Sequence, residues 1–162
     1  RHLVAPAAGV HLPYGAVQHV MNWKCSFPPV SIWREFAEQA RLAMPNECAA
    51  LFVWNQSADT WRLAMREALH ASSSRIDYRN PPLGDDEVPV VDIHSHARHP
   101  AGFSVIDDAD DTGSVKVAAV IGTVDRTVSI ALRLCVSGKY YGLQLGADGS
   151  FEPRPTGQAE AQ

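Results

Sequence analysis

Apolar positions along this chain fall into short runs separated by polar and Pro/Gly-rich stretches, and their spacing predicts the elements. Residues 1–30 are rich in Pro and Gly, and only Ala16–Trp23 reads as a short strand. From Ser31 to Met44 the period becomes helical: Ile32, Phe36, Ala40 and Ala43 recur, with Arg34, Glu35, Glu38 and Arg41 at polar positions. Ser31 is expected to cap this helix and Pro45 to stop it. Cys48–Trp54 is an unbroken apolar run, expected as a buried strand, and Asn55–Thr60 as a turn. Trp61–His70 then reads as a strand pairing back on it. Ser72–Glu87 carries Pro81, Pro82 and Gly84 and is expected as a loop around a short helix or strand.

Val88–His96 is the next expected strand, apolar at Val90, Val91 and Ile93. A loop at Arg98–Phe103 leads to Ser104, which is placed to cap a short helix running to Asp111. Val115–Ile121, Thr127–Val136 and Lys139–Leu145 follow as strands, and Phe151–Gln162, with two prolines and a lone Phe, reads as a frayed tail. The expected organisation is an N-terminal extension with an edge strand (1–30), one domain (31–145) and a flexible tail (146–162). The fold class is α/β in the α+β sense, with a mixed, mostly antiparallel sheet.

A chain of 162 residues suits one domain with one core. The net charge of −4 gives no reason to expect nucleic acid, which needs concentrated positive charge. No run approaches the roughly 20 apolar residues of a membrane span. The opening at Arg1 resembles a trimmed fragment, and residues 1–20 lack the basic-then-apolar pattern of a secretory signal. Cys25, Cys48 and Cys135 are odd in number and widely spaced, so they build neither a disulfide framework nor a Cys-x-x-Cys knuckle. A reducing cytoplasm is expected, and any metal must be held by His and carboxylate.

The informative segment is Asp92-Ile-His-Ser-His-Ala-Arg-His-Pro-Ala-Gly-Phe-Ser-Val-Ile-Asp107. Side chains alternate along a strand, so His94 and His96 project to one side and can share an ion. Residues 97–103 are enough for a loop that folds back over it. If Ser104 opens a helix, Asp107 lies three positions on and nearly above it. His94, His96 and Asp107 then form a three-ligand set with room for water, which is how catalytic zinc is held. Cys48 and Cys135 are expected in the core, His99 as an ordinary loop residue, and Asp108, Asp110 and Asp111 as a solvated acidic face. An amidohydrolase barrel, which also opens with His-x-His, needs about 250 residues. The His-x-Glu and Pro-Cys-x-x-Cys of nucleobase deaminases are missing, as is His-Glu-x-x-His.

His-x-His, a seven-residue gap (97–103) and then Ser-x-x-Asp, with Glu47 upstream in Pro-Asn-Glu-Cys-Ala-Ala-Leu-Phe, resembles the JAMM motif of the MPN-plus (JAB) metallopeptidases. The resemblance covers roughly Ser31 to Val136. It departs at Ala97, where many members carry Pro. Pro-Ala-Gly-Phe-Ser, Asp-Asp-Ala-Asp-Asp and Val-Lys-Val-Ala-Ala-Val-Ile-Gly are similar to the prokaryotic branch that includes PRTRC system protein A and the deconjugases of bacterial ubiquitin-like systems.

The resemblance implies a single-domain MPN/JAB fold with a curved sheet flanked by helices. It implies one Zn2+ per chain with one bound water, Glu47 as general acid/base and Ser104 as an oxyanion stabiliser. The implied activity is cleavage of a peptide or isopeptide bond after the C-terminal Gly of a ubiquitin-like protein, in maturation or deconjugation. Activating and conjugating enzymes are the implied associates; nucleic acid and membrane are not. A JAMM hydrolase releasing a sulfur carrier or other small adduct, and a non-catalytic MPN scaffold, are the alternatives. If the fold brings Asp85, Asp86 and Glu87, before the ligand strand, and Asp108, Asp110 and Asp111, after the last ligand, to opposite sides of the metal, they form an acidic rim favouring basic tails; otherwise they only keep a loop and a helix start soluble.

Overall fold

A computed structural model describes residues 21–71 and 76–154. Helix α1 spans Val30–Ala43 and buries Ile32, Trp33, Phe36, Ala37 and Ala40, a stripe one residue wider than the expected spacing. Its N-cap is Pro29, with no side-chain cap, and Ser31 lies exposed inside the first turn. The reason is the Pro28–Pro29 pair: Pro29 is held extended (φ −63°, ψ 148°) and is pre-set to lead into a helix one residue earlier.

Among the described residues nine strands and a second helix follow α1: β1 Ala49–Asn55, β2 Thr60–Met65, β3 Glu67–Ala71, β4 Ile76–Arg79, β5 Glu87–Ser95, α2 Val105–Asp111, β6 Val115–Gly122, β7 Ser129–Val136, β8 Lys139–Leu145 and β9 Phe151–Pro153. Seven of them form one sheet in the order β2-β1-β5-β6-β7-β8-β9, and β3 and β4 make a separate ribbon. Every described pair is antiparallel except β5 with β6. A parallel pair needs a crossover, and here loop 97–104 and α2 supply it. The α/β fold with a mixed, mostly antiparallel sheet is therefore as expected.

Two strand expectations need correction. Trp61–His70 is not one strand. Its ladder to β1 ends where the Arg66 N–H donates to the Ala49 carbonyl (2.9 Å), because β1 offers no further residues to pair with. The chain then leaves the sheet and pairs with β4, the short strand that is one of the two elements expected within 72–87. The tail is not frayed at Phe151 either: β9 pairs with β8, and Phe151 is buried in the core. Of the expected strand Ala16–Trp23, residues 16–20 lie outside the described residues and Met21–Trp23 are not strand.

The sheet has two unlike faces. Phe52, Val91, Ile93, Val117, Ala119, Ile121, Leu132 and Leu134 pack under α1 in one apolar core. Trp33 meets Phe52 edge-on at 4.8 Å, and Trp23 and Phe27 close the end of that core on Phe151. On the opposite face the same strands present Asp92, Lys116 and Arg133, which ion pairs join to one another through Asp111 of α2 and to Arg66 just after β2. Pro89 lies within the central strand β5, and the β1–β5 register shifts around it between Phe52 and Val53, which accommodates the missing N–H. Among the described residues no helix is long and apolar enough to cross a membrane.

Phe52 is fully buried against Trp33 and Phe36. Phe52→Ala is expected to lower stability by about 3–5 kcal/mol, read from the urea midpoint at unchanged slope. A loss below about 1 kcal/mol would show that α1 does not depend on this ring.

Candidate metal centre

The site forms where β5 ends. Antiparallel pairing sets Ala49 opposite His94, so two residues further along Glu47 stands opposite His96 and shares its face. Ser95, between the two histidines, points the other way and is fully buried. Its Oγ accepts from the Cys48 N–H (3.0 Å), and its N–H donates to the Cys48 carbonyl (2.9 Å). This double tie extends the register by one residue beyond β1 and holds Glu47 next to the histidines.

Beyond His96 the chain must turn. The His96 N–H donates to Ile121 (2.7 Å), the Val124 N–H to Ala97 (3.0 Å) and the Thr123 N–H to His99 (2.8 Å). His99 thus serves through its backbone, while its side chain is exposed. The loop crosses directly over Gly122, where a Cβ would come within 2.2 Å of the His99 carbonyl oxygen, so only glycine fits. Ala97 takes φ 47°. A proline ring holds φ near about −65° and cannot adopt that value, so the alanine at this position accompanies a loop path closed to the family's usual proline.

The loop ends in a capping box. The Ser104 Oγ accepts from the Asp107 N–H (3.3 Å), and Asp107 Oδ2 accepts from the Ser104 N–H and Oγ–H (both 2.6 Å). With Oδ2 engaged, Oδ1 lies 3.3 Å from His94 Nε2, and His94 Nε2 lies 3.1 Å from His96 Nε2. One ligand atom from each of His94, His96 and Asp107 lies within 4.8 Å of the others, and all three residues are half-buried. Tetrahedral coordination at about 2.0–2.1 Å separates donor atoms by about 3.3 Å, close to the 3.3 Å and 3.1 Å found between these atoms. The donors therefore fit one small divalent cation.

The electrostatics agree. Burial lowers the His94 pKa, outweighing the pull of Asp107, and leaves the neutral imidazole that a metal requires. Burial pushes the Asp107 carboxyl up, but the Ser104 hydrogen bonds and the two imidazoles outweigh it and hold it below its usual range. Glu47 is the opposite case: buried, and facing the negative charge of Asp107, its pKa rises to about 7. One site thus holds an ionised acceptor and an acid poised near neutrality.

His94, His96 and Asp107 converge at this end of the sheet, with Ser104 bonded to Asp107 and Glu47 close enough to feel its charge, and Cys48 and Cys135 are buried as expected. The acidic rim does not form. Asp85–Glu87 lie at the other end of β5, roughly 23 Å from His94 at the rise of an extended strand, and Glu87 is paired with Arg62 (2.6 Å). Asp111 is no solvated acid either: it is buried between Lys116 (2.7 Å) and Arg133 (2.7 Å), and Asp108 also pairs with Arg133. Ser95, Gly122, Lys116 and Arg133 escaped the sequence reading. For the last two the signal was a lone cation inside an apolar strand, Val-Lys-Val-Ala-Ala and Leu-Arg-Leu-Cys.

A sheet with one parallel crossover, two histidines at its strand end and a capped Asp returning over them is the frame of a JAB-type domain. The family model "Prokaryotic homologs of the JAB domain" matches residues 29–135, and the chain belongs to that family. A solved solution structure, Protein DSY2949 from Desulfitobacterium hafniense, is similar with a TM-score of 0.46 and 17% identity, over 76% of this chain and 86% of that one. No curated protein matches the chain.

A raised carboxyl pKa favours the folded state only while the group is protonated. Its contribution is complete below the unfolded value near 4.5 and is lost as pH rises through about 7. In chelator, Glu47→Gln should therefore gain stability relative to the unmutated protein between pH 5 and pH 8, measured by denaturant midpoint. A difference independent of pH would mean that Glu47 titrates normally in the metal-free fold.

Proposed function

We propose that this protein is a zinc-dependent peptidase or isopeptidase that cleaves after the C-terminal Gly of a ubiquitin-like protein. The observation that carries this reading is an open three-donor cluster with a buried acid of raised pKa on the same sheet face. A structural site would close on four protein ligands. Among the described residues only His94, His96 and Asp107 form such a donor group, which leaves a position for water and substrate.

A bound zinc ion supplies water of pKa about 7 and polarises the scissile carbonyl. His94 and His96 act as the nitrogen donors from one strand face, and burial favours the neutral form of His94. Asp107 contributes Oδ1, its Oδ2 fixed by Ser104. Glu47 accepts the proton of the attacking water and returns it to the leaving amine, a role suited to a carboxyl whose pKa lies near the operating pH. A bound cation counters the Asp107 charge that helps to raise this pKa, which favours the Glu47 carboxylate as the resting base.

Ser104 has two tasks in this reading. Its N–H holds Asp107 throughout, while its hydroxyl turns from Asp107 Oδ2 to the developing oxyanion. The substrate that the family resemblance implies is an extended Gly-containing tail, a segment able to bind as an added strand. Nothing in the geometry favours release of a small adduct or a purely scaffolding role over this.

The experiment has two parts. The purified protein should carry about one zinc per chain. His94→Ala or His96→Ala should remove most of it, and Asp107→Asn should weaken it; full occupancy in the double histidine variant would sink the metal assignment. Second, a ubiquitin-like protein fused through its C-terminal Gly to a reporter should be cleaved. Glu47→Gln should keep the zinc and lose about 10² to 10⁴ in kcat. Ser104→Ala should keep most zinc and lose on the order of 10². Wild-type turnover in Glu47→Gln would assign the proton transfer to another group.

A further inference from the structure

Asp107 sits on a seven-residue helix that has almost no apolar anchor: Val105 and Ile106 are 85% and 60% exposed, and the one buried residue of α2 is the charged Asp111. The helix is held to the sheet by charge. Asp111 Oδ2 accepts from Arg133 Nη2 (2.7 Å) and Nε (3.2 Å), and Asp111 Oδ1 meets Lys116 Nζ (2.7 Å). Arg133 Nη1 donates to Asp108. The guanidinium also stacks, with its carbon 3.9 Å from the Phe103 ring on one side and 4.0 Å from the Tyr140 ring on the other. Tyr140 in turn donates its hydroxyl to the Asp108 carbonyl (2.6 Å).

Phe103 immediately precedes Ser104, and Asp108 immediately follows Asp107. One side chain, rooted in β7, therefore grips the chain on both sides of the capping box. We infer that Arg133 is a positioning residue that sets Asp107 Oδ1 against His94 and so completes the metal centre without touching the ion. This rests on the metal-site reading above and extends it to a residue outside the motif. Arginine is required because one planar group must pair with two carboxylates and stack between two rings; lysine keeps the charge but neither the fork nor the plane.

The test is a double-mutant cycle read as Zn2+ affinity, by competition with a chromophoric chelator, in the full chain. Groups that orient metal ligands are worth about 10- to 100-fold in affinity, and Arg133→Lys should weaken zinc by that factor. In an Asp107→Ala background, where only His94 and His96 remain, the same substitution should change affinity by less than about threefold, because there is no Asp107 left to position. A merely structural role would lower affinity equally in both backgrounds, and that result overturns the inference, as does wild-type affinity in Arg133→Lys. Phe103→Leu disturbs no buried charge and should show the same background dependence at smaller size even if Arg133→Lys folds poorly; wild-type affinity there would overturn the grip on the loop. Failure of the unmutated protein to take up zinc would bring down the metal-site reading and this inference together, whereas equal losses in the two backgrounds bring down the inference alone.

Discussion

The register between β1 and β5 is the constraint on which the candidate site depends. A strand has a period of two, so a slip of one residue would turn Glu47 away from the face that carries His94 and His96. The core face resists such a slip, because Phe52, Val91 and Ile93 all pack into the one apolar core beneath α1. Ser95 adds a local lock at the place where regular pairing ends, engaging both the N–H and the carbonyl of Cys48. The same pairing that fills the core therefore delivers the acid to the donors.

The three kinds of ionisable group in the site are pushed in different directions by one environment. Burial favours neutral forms, and it wins for His94 and for Glu47. It loses for Asp107, because the capping box aims two donors at one carboxylate oxygen. A helix cap, a device that elsewhere serves only to satisfy backbone groups, here keeps a ligand ionised. The outcome is a neutral His94 imidazole, one anionic oxygen and one acid near neutrality, a charge state suited to a divalent cation and its water.

The face beneath α2 is built in an unusual way, from charged residues: Arg66, Asp92, Lys116 and Arg133 along the sheet, with Asp111 inserted from the helix between the last two cations. Removing one partner of such a buried set leaves an uncompensated charge, so the row tolerates little displacement even where its net contribution to stability is small. An apolar contact would let a short helix slide. Directional hydrogen bonds to Asp108 and Asp111 do not, and they fix where Asp107 falls.

The sequence by itself determined most of the elements and the donor set. A helical period marked α1, unbroken or near-unbroken apolar runs marked β1 and β5, and Ser104 with Asp107 carries a capping box in its own spacing. Those are local properties, set by neighbours a few residues apart. Local signals also misled: Ser31 was an acceptable cap, but two prolines started the helix earlier, and Trp61–His70 was a good strand whose partner ran out. Only the tertiary structure decided that Asp85–Glu87 lie far from the metal centre, that Asp111 is buried, and that Phe151 belongs to the core. It also decided which cation answers which acid. Arg133 and Asp111 are 22 residues apart and Arg66 and Asp92 are 26 apart, and no period along the chain encodes such pairs, because they exist only once strand order and register have brought the strands side by side.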